Sequence, residues 1–363
     1  MYEIDLLKEM LEIYSPSGQE AKLATILCKE MRHLGLKNVH IDPAGNALGE
    51  AGSGSPKIIL CGHMDTVPGF LEVREEDNAL YGRGAVDAKS SLAAMIVAAS
   101  RLNKKELGKI TVIGVVDEEG DGAGIEHLSR TKLDADYFIF GEPSGVDKIT
   151  IGYKGRIQFA LKFKTAGGHA SAPWASENAV ERGYDLWNCI RNNLLIDKTD
   201  IADRFHEMSI CLTVLKGGEF QNSIPENCCM TLDIRVPPQI ACQKVAEELN
   251  RIVQAFKEEH PKVLIESKVE GLLDAYESDR NSLVVKGLRT AIFRVLGKNA
   301  QLVRKTGTGD MNVIGLRQQI PVATYGPGDS RLDHTQKERV NLDDYLNSIK
   351  IIETAVEYIA NNH

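Results

Sequence analysis

The sequence lacks the features of several broad classes of protein. No apolar run reaches the roughly 18 residues of a membrane-spanning helix, and the opening MYEIDLLKEM has neither the basic start nor the apolar stretch of a signal peptide. Lysine and arginine are dispersed, and the formal net charge is −8. Because phosphate binding needs clustered cations, we expect no nucleic-acid partner. These absences predict a soluble cytoplasmic protein.

Cysteine is also absent from any metal-binding pattern. The chain has 7 cysteines, none in a C-x-x-C pair. An odd number of cysteines without a secretory signal indicates reduced, mostly buried thiols. Any metal site must therefore use histidine and carboxylate ligands.

The apolar pattern predicts an α/β fold. Short apolar runs at 57–61, 110–116 and 137–140 read as buried strands, and residues 90–102 read as a helix between two of them. Fully apolar strands that alternate with helices are typical of a parallel sheet covered on both faces.

The pattern changes after residue 154. The following segment predicts the order β-α-β-β-α-β, which resembles a ferredoxin-like module. A chain of 363 residues is long enough for two domains. We therefore expect a catalytic domain made of residues 1–154 and 269–363, with a smaller domain, residues 155–268, inserted.

Candidate metal ligands follow the predicted strands, where ligand sites of α/β sheets lie. The run GHMDTVP (62–68) offers His63, with Asp65 placed to orient its ring. The glycine-rich run GRGAVDAK (82–89) offers Asp87 before a helix. Its spacing is not that of a phosphate-binding loop. Taken alone, the first run also fits a polar turn, and Asp87 also fits a helix N-cap.

Acidic residues and a second histidine follow later elements. In VVDEEG (115–120), Glu119 can bind a metal while Glu118 stays available as a general base. Glu142 follows the third strand, and His334 lies in a late loop. Each residue alone fits a solvated turn. Their shared position after separate strands of one sheet indicates a common site, and imidazole mixed with carboxylates suits zinc, cobalt or manganese.

These runs together resemble the M20 metallopeptidase family. Its pattern is H-x-D-x-V-P, G-R-G-x-x-D-x-K, E-E-G, G-E-P and a late histidine, and all five parts occur here in order. The resemblance spans nearly the whole chain and implies two divalent metal ions, with zinc expected. The implied ligands are His63 and Glu142 for one ion, Glu119 and His334 for the other, and Asp87 for both.

The resemblance also implies roles around the ligands. Asp65 would support His63, Glu118 would be the general base, and the Asp87–Ala88 peptide would be cis.

The inserted domain of the family mediates dimerisation. His169 in GGHAS (167–171) would reach across the dimer into the partner's active site; a plain loop residue is the alternative. Asn222 and Arg235 would bind substrate, although a surface salt bridge is the alternative for Arg235. Thr308 and Gly309 are further candidates for substrate binding.

Three late runs, TGTGDMN, YGPGDS and LDHT, resemble one branch of the family. Its members release lysine or ornithine from the C-terminal glutamate of LysW, an acidic amino-group carrier protein of lysine and arginine biosynthesis. An N-acyl-amino-acid deacylase, a dipeptidase and an inactive metal-binding scaffold stay open as alternatives.

An acidic carrier would be repelled by an acidic enzyme unless basic residues attract it locally. We therefore expect a basic rim around the site, with scattered solubilising charges as the alternative. Its predicted members are Lys154, Arg156, Arg304, Lys305 and Arg331.

Overall fold

The computed structural model describes residues 1–130, 132–194 and 203–363. Its helices in chain order are α1 (Tyr2–Glu12), α2 (Ala21–His33), α3 (Lys89–Leu102), α4 (Ala123–Ser129), α5 (Ala179–Asn193), α6 (Cys242–Glu259), α7 (Leu283–Leu296), α8 (Asp310–Gln318) and α9 (Leu342–Asn361). In that described part of the chain, every helix is too short or too polar to cross a membrane.

The strands alternate with these helices along the chain. They are β1 (Lys37–Ile41), β2 (Ala47–Ser53), β3 (Lys57–His63), β4 (Arg74–Glu76), β5 (Ala79–Tyr81), β6 (Gly108–Val115), β7 (Tyr137–Phe140), β8 (Lys148–Tyr153), β9 (Gly155–Lys164), β10 (Gly168–His169), β11 (Ser209–Gly217), β12 (Ser223–Ile224), β13 (Asn227–Val236), β14 (Leu264–Leu273), β15 (Tyr276–Glu277), β16 (Gln301–Lys305), β17 (Val322–Thr324) and β18 (Arg339–Asn341).

The chain divides into two compact units. The first contains Met1–Gly152, Glu277–Arg304 and Gly309–His363, and the second contains Tyr153–Tyr276 and Lys305–Thr308. The inserted unit thus continues beyond the predicted boundary at 268. The reason is that β14 pairs with β9 as far as Leu273.

The first unit is built on a nine-stranded sheet in the order β1-β2-β6-β3-β7-β17-β8-β15, with β16 beside β8. Strands β6, β3, β7 and β17 run parallel to one another. The predicted α/β class is confirmed, but the sheet is mixed, because β2 pairs antiparallel with β6. The sequence ALGEAGS of β2 is rich in glycine and alanine. Because both residues are uncommon in strands, the sequence pattern does not predict this strand.

Helix α3 lies at the centre of the first unit. Most residues of this helix are apolar, chiefly alanine, and they occur on all of its faces. Nearly all of its side chains are buried. A helix that is apolar all round needs neighbours on every side. The chain enters this buried helix at Lys89, two residues after Asp87.

The second unit has a four-stranded antiparallel sheet in the order β11-β13-β9-β14. Along the chain, the four strands of this sheet and the helices α5 and α6 follow one another in the predicted pattern β-α-β-β-α-β. Strand β9 alternates buried and more exposed residues, as its sequence RIQFALKFK predicts. The helices bury their apolar faces in a core separate from that of the first unit.

Candidate active site

Three neighbouring parallel strands end side by side and deliver three of the candidate ligands. His63 is the last residue of β3 and pairs in register with Val115 at the end of β6. Glu119 follows β6 by four residues, and Glu142 follows the end of β7 by two. The parallel order of β6, β3 and β7 therefore brings an imidazole and two carboxylates to one edge of the sheet.

One group of possible metal ligands joins His63, Asp87 and Glu142. Nε2 of His63 lies 3.1 Å from Oδ1 of Asp87 and 3.6 Å from Oε1 of Glu142. Two donor atoms on a tetrahedral ion are roughly 3.4 Å apart when each is about 2.1 Å from the ion. The separations therefore fit a shared ion.

A second group joins Asp87, Glu119 and His334. Nε2 of His334 lies 3.1 Å from Oδ2 of Asp87 and 2.8 Å from Oε1 of Glu119. Each oxygen of the Asp87 carboxylate thus faces a different histidine. This is the arrangement that a carboxylate bridging two cations requires.

The geometry around Asp87 excludes the alternative of a helix N-cap. The N-cap of α3 is Ala88, and its side chain makes no capping hydrogen bond. The Asp87–Ala88 peptide is cis, as predicted. The Asp87 carboxylate is directed at the two histidines.

The site is rich in negative charge that a cation can balance. Burial alone would lower the pKa of His63, but Glu142, Asp65 and Asp87 raise it well above its usual value. The hydrogen bond with Asp87 contributes most to raising the pKa of His334, to about 9. The carboxylates that stabilise the protonated form of these two imidazoles would also stabilise a divalent cation, and metal binding would release the protons.

Glu118 belongs to neither ligand group in the described chain. Burial raises the pKa of its carboxyl group well above the usual value, and the carboxylate of Glu142 raises it further. A carboxylate with a raised pKa is a stronger base than an exposed one, as general-base chemistry near neutral pH requires.

Asp65 contacts more than the His63 ring. The nearer acceptor for Nδ1 of His63 is the backbone carbonyl oxygen of Asp65, at 3.0 Å, whereas Oδ1 of Asp65 is 3.5 Å away. The Asp65 carboxylate also accepts hydrogen bonds from the backbone nitrogens of Glu118 and Glu119 and from the Ser17 hydroxyl. Histidine and serine donors help to lower its pKa to about 2 despite burial.

Ser17 and Glu20 were missed by sequence analysis. Oε1 of Glu20 accepts from the backbone nitrogens of Gly18 at 3.0 Å and Asp117 at 3.1 Å. Asp117 has φ of 63°, so its left-handed backbone needs such support. The only available signal was the turn-forming run SPSG at 15–18, which carries no chemistry by itself.

In the second unit, His169 and Asn222 lie close together where the short strands β10 and β12 pair antiparallel. His169 of β10 pairs with Ser223 of β12, and the backbone nitrogen of Ala170 donates to the carbonyl oxygen of Asn222 at 2.9 Å. Nδ1 of His169 accepts from the backbone nitrogen of Ser171 at 3.2 Å. Since a backbone N–H can only donate, the neutral ring carries its proton on Nε2.

Arg235 on β13 makes the salt bridge considered as its alternative role. Its Nε lies 2.6 Å from Oδ1 of Asp233. The guanidinium also donates through Nη1 to the Thr308 hydroxyl at 3.2 Å, and that hydroxyl donates to the Lys154 carbonyl oxygen. The guanidinium is therefore held in one orientation. Gly309 belongs to the first unit, where it is the N-cap of α8.

Three of the five residues predicted for the basic rim form ion pairs in the folded chain. Each of these arginines lies beside a carboxylate of its own unit, but Asp233 also pairs with Arg235, so one positive charge there is not balanced. The pairs are Arg156 with Asp233, Arg304 with Glu277 and Arg331 with Asp329.

Comparison with known sequences identifies the family. The model of peptidase family M20/M25/M40 matches residues 59–358. A protein of Thermococcus kodakarensis named for [LysW]-lysine and [LysW]-ornithine hydrolysis is 34% identical over 355 residues, covering 98% of this chain and 91% of that protein. The [LysW]-lysine/[LysW]-ornithine hydrolase of Saccharolobus islandicus is 33% identical over 357 residues, covering 97% and 94%.

Solved structures share the fold. A tripeptidase from Staphylococcus aureus superposes with a TM-score of 0.83 at 21% identity, covering 99% of this chain and 98% of that chain. An M20 family metallo-carboxypeptidase from Sulfolobus solfataricus also has a TM-score of 0.83, at 18% identity, covering 99% and 100%. The sequence motifs, the paired ligand groups and these similarities agree, and the chain therefore belongs to peptidase family M20/M25/M40 and is a metal-dependent amide hydrolase.

Proposed function

We propose that this enzyme releases lysine, ornithine or both from the C-terminal glutamate of the carrier protein LysW, within lysine and arginine biosynthesis. The names of its full-length relatives support the substrate. The structural observation that carries the chemistry is Asp87, whose two carboxylate oxygens each lie 3.1 Å from a different histidine.

Two divalent ions, zinc by expectation and cobalt or manganese as alternatives, would occupy the two ligand groups. His63 and Glu142 would hold one ion, Glu119 and His334 the other, and Asp87 both. When bound, such ions act as Lewis acids and lower the pKa of water to about 7.

Glu118 would move the proton. Its carboxylate takes a proton from the water that attacks the amide carbonyl, and it returns the proton to the departing α-amine. Its position outside both ligand groups suits both steps, because the group must first accept and then release the proton. General acid–base catalysis of this kind contributes typically about 10²- to 10⁴-fold in rate.

His169 of the partner subunit would stabilise the oxygen of the attacked carbonyl in a homodimer. The Ser171 contact leaves the His169 proton on Nε2, which makes that nitrogen a hydrogen-bond donor. A single donor to a developing oxyanion is worth about 3 kcal/mol. Asn222, adjacent on the same pairing, would assist in binding the substrate.

Arg235 would bind the α-carboxylate of the leaving amino acid. Asp233 and Thr308 orient its planar fork, and a fork matches a carboxylate better than an ammonium does. Gly309, at the start of α8, would contribute backbone contacts to the substrate. We place the enzyme in the cytoplasm, since all seven cysteines are free thiols, as a reducing compartment favours.

The decisive experiment compares substrates. LysW loaded with lysine or ornithine, acetylornithine, succinyl-diaminopimelate and a dipeptide are each offered to the metal-loaded enzyme. Faster turnover of loaded LysW, by at least about tenfold in kcat/KM, is expected. Preference for an acylated amino acid would favour a deacylase, preference for the dipeptide a dipeptidase, and no turnover at all an inactive scaffold.

A further inference from the structure

Glu338 is a buried carboxylate directed at the turn that carries Asp87. Its side chain is 1% exposed. Oε1 accepts hydrogen bonds from the backbone nitrogens of Gly84 at 2.9 Å, Val86 at 3.1 Å and Asp87 at 3.2 Å. Converging N–H groups form an anion-binding nest, and here the chain's own carboxylate fills it. The amides of this glycine-rich turn are therefore already engaged, which explains why the turn is no phosphate loop.

Arg83 extends this contact to the loop of the second histidine. Nη1 of Arg83 lies 2.6 Å from Oε2 of Glu338. The same nitrogen lies 3.4 Å from the carbonyl oxygen of Thr335, the residue after His334. One buried ion pair thus contacts both the turn that ends on Asp87 and the loop that carries His334.

Net stability is a poor explanation for such a pair. Desolvation of two buried charges largely offsets their attraction, and apolar residues of similar size often stabilise a protein as well or better. Geometry is a better explanation, since metal ligands must be held by the groups around them, and losing such a group typically weakens metal binding about 10- to 100-fold.

We propose that Glu338, together with Arg83, is a positioning residue for the metal centre, which fixes the backbone of Asp87 relative to the His334 loop. The inference rests on the proposed function, because it takes Asp87 and His334 to be metal ligands. Glu338 itself contacts no donor atom of either ligand group that the structure describes.

The test is a Co²⁺ titration of chelator-treated protein, followed by visible absorption and without substrate. Two double variants are compared with the wild type. R83M–E338Q removes both buried charges but keeps an oxygen that can accept from the three amides. R83M–E338M removes the charges and the acceptor. A matched control, E353A, removes a carboxylate that pairs with Arg101 at 2.9 Å, far along α3 from Asp87.

We expect R83M–E338M to need at least about tenfold more Co²⁺ for half-saturation. R83M–E338Q should need only a few-fold more, because it loses the Arg83 contact with the His334 loop but keeps the acceptor for the three amides. E353A should stay close to the wild type. Equal Co²⁺ affinity of the two double variants would overturn the inference. If R83M–E338M does not fold by circular dichroism, R83M–E338Q decides: a few-fold loss of Co²⁺ affinity relative to E353A supports the role, and wild-type affinity contradicts it. Wild-type protein that binds fewer than two Co²⁺ ions would overturn the proposed dimetal centre and this inference with it.

Discussion

The carboxylate of Asp65 holds the backbone of Glu118. Oδ1 of Asp65 lies 3.1 Å from the backbone nitrogen of Glu118. Oδ2 accepts from the backbone nitrogen of Glu119 at 2.9 Å and from the Ser17 hydroxyl at 2.7 Å. One buried carboxylate therefore positions the proposed base and a proposed metal ligand at the same time.

Asp65→Asn should lower kcat about 10- to 100-fold with a smaller loss of bound metal. Asparagine keeps one acceptor oxygen, but its side-chain NH₂ group can only donate and cannot accept a hydrogen bond from the second backbone N–H. The measurement is kcat together with metal content by atomic emission. Ser17→Ala, which removes one donor and leaves both backbone contacts, is the milder control and should cost only a few-fold. Wild-type kcat in Asp65→Asn would show that the backbone contacts do not matter.

Glu118→Gln should retain two metal ions yet lose about 10² to 10⁴ in turnover, because glutamine has the same shape and no basic oxygen. Glu119→Gln is the matched control from the adjacent position. We expect that change to lower metal content, since Glu119 lies 2.8 Å from the proposed ligand His334. Equal loss of metal in both variants would contradict the separate roles given to the two glutamates.

The meeting of three candidate ligands could be predicted because it depends on strand order. Buried apolar strands are visible in sequence, and residues that follow parallel strands meet at one edge of the sheet. His63, Glu119 and Glu142 follow this rule. Strand β2 and helix α8 escaped prediction because glycine weakens their patterns, in β2 itself and just before α8.

The supporting residues could not be predicted in the same way. Ser17, Glu20 and Glu338 act through backbone N–H groups or through a carboxylate that is distant in sequence. Such contacts leave no spacing pattern, because they depend on how loops meet in three dimensions. The ion pairs of the predicted rim residues could not be foreseen for a related reason, since partners such as Glu277 for Arg304 become neighbours only in the folded chain.

Asp310→Asn should stabilise the metal-free protein at pH 8 and not at pH 4. Burial raises the pKa of Asp310 from 3.8 to about 7. Between these values the folded protein binds more protons at this group than the unfolded chain, so its contribution to stability falls as pH rises. Asparagine does not titrate and avoids the loss. The melting temperature of chelator-treated protein is measured across this range.

The control for this experiment is an aspartate whose pKa is lowered in the folded protein instead of raised. A hydrogen bond from Lys57 lowers the pKa of Asp134, so Asp134→Asn should give no gain in melting temperature at pH 8. An Asp310→Asn melting temperature that does not exceed the wild type at pH 8 would contradict the prediction for Asp310.

Arg235→Lys should raise KM at least about tenfold for substrates that release an amino acid with a free α-carboxylate. Lysine cannot keep the contacts with Asp233 and Thr308 while presenting two parallel donors. A substrate that releases lysinamide lacks the carboxylate, and the variant and wild type should cleave it alike. Arg156→Lys, at the other arginine that pairs with Asp233, is the control and should leave KM unchanged. A similar KM increase for both substrates would show that Arg235 does not recognise the carboxylate.

His169 and Glu118 should complement each other between subunits. A heterodimer of one His169→Ala chain and one Glu118→Gln chain, purified through two different tags, contains one active site with neither change if His169 acts across the dimer. The other site carries both changes. In a two-fold symmetric dimer this predicts about half of wild-type activity, although each parent homodimer is nearly inactive. If His169 serves its own chain, both sites carry one change and the heterodimer stays inactive. Activity of the His169→Ala homodimer near the wild-type level would remove His169 from the mechanism altogether.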